Sequence, residues 1–220
     1  PLGSGAHSVG IVCDPATHPL ERMNTFERAL DWLREFQPLV ADACERHRDK
    51  LLDFRFLRGF SHGCKQLYSG DRWALTGEAG VFLDPFYSPG SDFIAMSNTY
   101  VTELIALDRA DKPLGPYARL FEQLYRSFYE NTMSLFRGQY PIFGDAEVMS
   151  MKVIWDYTYY WAVLCQLVFQ NRLTDTVLLG EMQAELAEAS QLNRDMQAFL
   201  LRWYAVSPRP NARIMFDQRE

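Results

Sequence analysis

In the second half of the chain, apolar residues recur at intervals of three and four. Tyr117, Leu120, Phe121, Leu124, Tyr125 and Phe128 follow this rhythm, which brings them onto one face of a helix with 3.6 residues per turn. Residues 146–171 predict a second helix, apolar on nearly all sides. Residues 174–204 predict a third, with Met182, Leu186, Ala189, Leu192, Met196, Phe199 and Trp203 three or four apart. That last stripe averages 3.5 residues per contact and would suit a partner helix, although packing within the chain is the reading taken. In the second helix, Trp155, Tyr157, Tyr159, Tyr160 and Trp161 read first as core. Trp155 and Tyr159 are also candidates to line a substrate pocket, because aromatic rings stack on planar ligands and tyrosine hydroxyls orient them.

The first half has a different pattern. Thr25 is a helix cap ahead of Phe26, Leu30 and Leu33, and Pro38 suits the first turn of another short helix, where its missing N–H costs nothing. Val9–Cys13, the alternating run at 53–60 and Trp73–Thr76 predict short strands. From Ser91 or Asp92 to about Arg109 the pattern is helical, and a polar Pro/Gly stretch, "DRADKPLGP", follows. The expected fold class is α+β and mostly helical, with a mixed region at 6–110 and a helical region at 111–220. Residues 1–5, "PLGSG", read as an expression-tag scar. The interior-strand character of "HSVGIVCDP" just after them suggests one piece of a longer protein.

With 48% hydrophobic residues in 220, the chain has the composition of a folded protein. A net charge of −6 and the lack of a basic run argue against nucleic acid. Cys13, Cys44, Cys64 and Cys165 lack paired spacing and read as reduced cytosolic thiols, so a cytoplasmic location is expected. The longest uncharged run, Tyr157–Asn171, is shorter than the roughly 20 apolar residues of a membrane-spanning helix. "SHGC" at 61–64 has no second ligand pair, so no metal site is expected. Ser88 lacks the Gly-x-Ser-x-Gly elbow of a hydrolase.

The densest chemistry lies in "WALTGEAGVFLDPFYSPGSDFIAMSN", between a predicted strand and a predicted helix. Gly77 allows a ligand to approach the backbone, and Glu78 offers an acceptor for ligand hydroxyls. Pro89-Gly90 leads into a helix whose first N–H groups lack intrahelical partners and favour a negative ligand group. Alternatively, Ser91 or Asp92 caps those same donors.

This stretch resembles the carboxy-terminal flavin motif of FAD-dependent monooxygenases, in particular the flavin-dependent halogenases of tryptophan type. The halogenase pattern Phe-x-Asp-Pro-x-x-Ser-x-Gly is matched by Phe82, Asp84, Pro85, Ser88 and Gly90. The resemblance implies that the strands of 6–110 belong to an FAD/substrate domain and that 111–220 form a helical lid. It also implies that Gly77, Glu78, Pro85, Gly90 and Ser91 contact FAD, with Glu78 standing where the family has a ribityl-binding aspartate. Phe82, Ser88 and Pro89 would form the loop facing halide and flavin. The implied chemistry is oxidation of an aromatic, electron-rich small molecule, free or carrier-bound, through a flavin hydroperoxide, with a flavin reductase as a possible partner. Tyr87 stands where free-tryptophan halogenases carry a glutamate, so free tryptophan is not the expected substrate. The family's Gly-x-Gly-x-x-Gly and Trp-x-Trp-x-Ile-Pro segments are absent. None of Lys50, Lys65, Lys112 and Lys152 matches its catalytic lysine, so the missing amino-terminal half becomes a required partner. The alternatives are an FAD-dependent monooxygenase that does not halogenate, or a non-catalytic docking module with a vestigial flavin motif.

Overall fold

Thr25 opens the first helix as expected: its hydroxyl accepts the Arg28 amide at 3.3 Å, satisfying one of the orphan donors of helix α1, Phe26–Phe36. Pro38 stands at the first turn of α2, Pro38–Arg46. The structure, a computed structural model, describes residues 1–208. They fall into two compact units, residues 1–60 and the residues from Ser61 onward.

In the first unit α1 and α2 bury Leu30, Leu33 and Ala41 between them, with Ile11, Phe26 and Trp32 packed alongside. Arg48 ties the pair together by bonding Glu27 and Glu45.

The second unit is built on α3, Pro89–Arg109, and α4, Leu114–Met133. The polar stretch between them is a Schellman-type turn: Asp111 is left-handed at φ 52°, and the Lys112 amide reaches back to Leu107 O at 3.0 Å. The two helices therefore run back along each other and share one aromatic core. Tyr100 stacks on Phe121 with centroids 4.9 Å apart, and Phe93 packs against Tyr125 and Phe128. Next come α5, Ala146–Tyr160, a π-helical turn at Trp161–Cys165, and α6, Gln166–Phe169. The short α7, Thr176–Glu181, and the long α8, Gln183–Val206, complete the described residues. None of these helices is long and apolar enough to cross a membrane.

The expected α+β class is not what forms. Among the described residues there is no sheet, only two isolated antiparallel bridges, His62–Phe82 and Tyr68–Ala74. Val9–Cys13 and 53–60 are irregular, and Trp73–Thr76 contributes a single bridging residue. The few flavoprotein strands expected within 6–110 are therefore absent, and the chain is helical. The physical reason is that a strand is stable only when paired with others over an apolar face. Val9, Phe56 and Leu57 are all more than half exposed and bury nothing.

The last expected helix also differs in detail. The expected 174–204 helix breaks at Met182 into α7 and α8. Within α8 the buried face is Asn193, Gln197 and Leu200, while Leu192 and Phe199 of the expected stripe are 55% and 46% exposed. The helix is turned by about one residue, so that Asn193, Gln197 and Leu200 are fully buried while Met196 and Trp203 of the expected stripe are only partly so.

Candidate functional site

The loop that joins Trp73 to α3 is held from both sides. Ser97 on α3 accepts the Tyr68 hydroxyl at 3.1 Å and donates to Leu75 O at 3.2 Å. Gly77 opens a 3-10 turn with φ +55°, and a Cβ built on it would lie 2.7 Å from Ile94 Cγ1. The glycine thus serves close packing of the loop on α3. Glu78 is exposed, with its carbonyl 2.9 Å from His62 Nε2. Phe82 is half-buried, stacks on His62, and exchanges both backbone hydrogen bonds with it. Asp84 accepts the Phe86 amide at 2.7 Å and the Tyr140 hydroxyl, which pins the exposed Pro85 corner to the Tyr140–Gly144 turn.

At the corner itself Tyr87 and Ser88 are both left-handed, with φ 66° and 56°. Consecutive non-glycine residues in that region are strained and persist only where their surroundings hold them. The helix starts at Pro89, ahead of the expected Ser91 or Asp92. No side chain caps it: the Ser91 amide bonds Ser88 O at 3.3 Å, and the capping alternative is not realised. A Cβ built on Gly90 would meet nothing within 4 Å.

Ser88, Pro89, Ser91 and Asp92 form one wall of a cavity of about 390 Å³. Leu124 and Phe128 of α4, Tyr157, Tyr159 and Tyr160 of α5, and Leu164 of the π-helical turn are among the others that line it, mostly with apolar surface. Of the sequence-predicted residues, Ser88, Pro89, Ser91 and Tyr159 meet at this cavity; Gly77, Glu78, Phe82, Pro85, Gly90 and Trp155 do not line it. Trp155 instead donates to Asn193 Oδ1 at 3.0 Å.

Behind the cavity wall lies a polar network that the sequence pattern did not signal. Lys152 is completely buried and donates to Asp156 Oδ2 at 2.8 Å and to Gln197 Oε1 at 2.7 Å. Gln197 returns a bond to Asp156 Oδ1 at 2.7 Å and another to Asn193. Asn193 continues to Asn131 and Ser134, and Asn131 donates to the Tyr159 hydroxyl at 2.6 Å. Burial pulls the Lys152 ammonium below its ordinary value, against the opposing pull of Asp156. The available signal was one i, i+4 polar couple, Lys152/Asp156, set among apolar residues of α5; Asn193/Gln197 lie in a helix with many other polar residues.

Two further residues on the cavity lining carry polar groups. Asp92 accepts the Tyr160 hydroxyl at 2.9 Å, and burial pushes its carboxyl above the usual range while that bond partly offsets the effect. The Tyr87 hydroxyl is shut off from solvent, near Asp156 but without a hydrogen bond of ordinary length. Among the described residues, no three His, Cys, Asp or Glu side chains gather as metal ligands.

No protein-family model matches the chain, and no solved structure matches it. A flavin-dependent halogenase of Dictyostelium discoideum is 23% identical over 164 residues, covering 74% of this chain. The chain spans 27% of that protein's length. This distant, partial match gives the chain a loose relationship to the flavin-dependent halogenases.

Proposed function

We propose that this chain is the carboxy-terminal part of an FAD-dependent, halogenase-like oxidoreductase that transfers halogen or oxygen to a small aromatic substrate. One observation carries the reading: the Phe82–Gly90 motif coincides with the strained Tyr87–Ser88 corner, and that corner forms a wall of a mainly apolar cavity. The distant halogenase match supports it.

An isoalloxazine edge fits the Ser88–Ser91 corner on two grounds. The first turn of α3 has no side-chain cap, and the space where Gly90 would carry a Cβ is open. It does not fit at Gly77, because Ile94 fills the equivalent space there. In this reading Gly77 sets the loop against α3, and exposed Glu78 beside it reaches the ribityl chain. Pro85 and Phe82 hold the loop's course toward the corner. Amides at the start of α3 stabilise negative charge at the cofactor's pyrimidine edge, because aligned N–H dipoles need no reorganisation. When bound, reduced FAD supplies the activation of O2; this chain orients the substrate and excludes water around it. Tyr159, fixed by Asn131, and the apolar walls of α4 and the π-helical turn form the substrate chamber.

The test uses the full-length enzyme carrying Gly90→Trp. Because the position is open, the fold should persist while flavin affinity falls at least about tenfold, a loss of roughly 1.4 kcal/mol. Unchanged flavin affinity together with unchanged turnover would overturn the assignment. FAD titration of this chain alone and mixed with the preceding segment then separates an enzyme half, which gains yellow colour on mixing, from a docking module, which does not.

A further inference from the structure

The cavity's charge pattern selects its ligand. None of the residues lining it is a lysine, arginine or histidine, and its ionisable carboxyls are Asp92 and Asp156. Asp156 is balanced: Lys152 takes one oxygen and Gln197 the other. Asp92 is not. Its protein partner is a neutral tyrosine on Oδ1, and no basic group pairs with it. The second oxygen of this half-buried carboxyl is an acceptor open to solvent on a lining of leucines and aromatic rings, where a ligand donor can take the place of water. The size is also informative. A dry cavity of about 150 Å³ holds benzene, so one of about 390 Å³ accommodates one or two rings with short substituents.

We propose that this cavity binds a neutral or cationic ligand with an apolar ring body and a hydrogen-bond donor directed at Asp92, and that it rejects carboxylates. A phenol is the simplest such ligand: its hydroxyl gives a donor to Asp92. A carboxylate fails twice, because it brings no donor to Asp92 and adds a like charge with no cation on the lining to offset it. The inference rests on reading the cavity as the substrate chamber, and it names what that chamber selects.

The test needs only this 220-residue chain, free of flavin. Calorimetric titration at pH 7.5 compares 4-butylphenol, its methyl ether 4-butylanisole, and 4-butylbenzoate. The phenol should bind tightest, the ether about tenfold more weakly for want of its donor, and the benzoate on the order of 100-fold more weakly. Asp92→Asn should weaken the phenol and narrow the phenol–benzoate gap at least tenfold, with an unchanged far-UV spectrum. Ser127→Trp, a bulky side chain at an exposed position on the lining, should weaken all three probes. Benzoate binding as tight as phenol, a ranking untouched by Asp92→Asn, binding untouched by Ser127→Trp, or no phenol binding to the parent chain would each overturn the proposal. FAD titrated in parallel keeps the claims separate: a failed ranking leaves the flavin corner standing, and absent flavin binding leaves the ranking intact.

Discussion

Removing one member of the Lys152–Asp156 pair should cost far more than removing both. Lys152 is fully buried, with its ammonium 2.8 Å from Asp156 Oδ2 and 2.7 Å from Gln197 Oε1. In Asp156→Leu that ammonium keeps a single neutral acceptor, and an uncompensated buried charge costs about 3–5 kcal/mol. With a urea slope of about 2 kcal/mol per molar, the unfolding midpoint should drop by roughly 2 M. Lys152→Met should fall in the same range at its lower end, because Asp156 keeps the Gln197 amide and reaches the cavity. The double variant Lys152→Met/Asp156→Leu removes both charges and leaves the Gln197 carbonyl without its bond, a cost of about 1–3 kcal/mol. It should therefore be more stable than either single variant. pH provides an independent check. Burial lowers the Lys152 pKa from its ordinary value of 10.5, so between the folded value and 10.5 the unfolded chain holds more protons and stability rises with pH. Asp156→Leu removes the opposing pull, widens that window, and should recover part of its deficit between pH 7 and pH 10. Single variants that lose less than about 1 kcal/mol, or a double variant that loses the sum of the two, would refute the account.

Two further outcomes follow from the corner. Gly77→Ala combines a left-handed φ with a 2.7 Å contact to Ile94 and should lose about 1–3 kcal/mol, whereas Gly90→Ala meets open space and should stay within about 0.5 kcal/mol; equal effects in urea denaturation would contradict this packing. For Asp92, burial raises the folded pKa above its ordinary 3.8, so the folded state holds the proton more tightly. The stability that this carboxyl contributes is full below pH 3.8 and is lost as pH rises through the folded value. Relative to Asp92→Asn, the parent chain should therefore lose stability across that window, and a gain would reverse the sign.

Several local elements were legible because their causes are local. Thr25 and Pro38 mark helix starts through groups within one turn. The Tyr117–Phe128 spacing marks α4, whose Phe121 and Tyr125 do reach the core. The candidate site was legible in part: the motif spacing drew attention to Ser88, Pro89 and Ser91, and the aromatic run to Tyr159. The strands were not legible, because alternation at 53–60 says what a strand would bury and nothing about whether a partner exists to pair with it. The facing of α8 and α5 was also hidden. An apolar-weighted period places Leu192 and Phe199 inside, yet Lys152 and Asp156 hydrogen-bond to Gln197 across the helix interface and draw the amide face inward.

The sequence by itself determined where α1 and α2 start and that 117–128 form one helix face, since caps, prolines and three-to-four spacing act within a few residues. Only the tertiary structure decided which face each helix buries, that the glycine at 77 meets Ile94, and that Asp92 lies half-buried in a cavity without a cation. Those outcomes depend on groups brought together from distant parts of the chain, where a hydrogen bond or a charge left unpaired outweighs the local preference of any one segment.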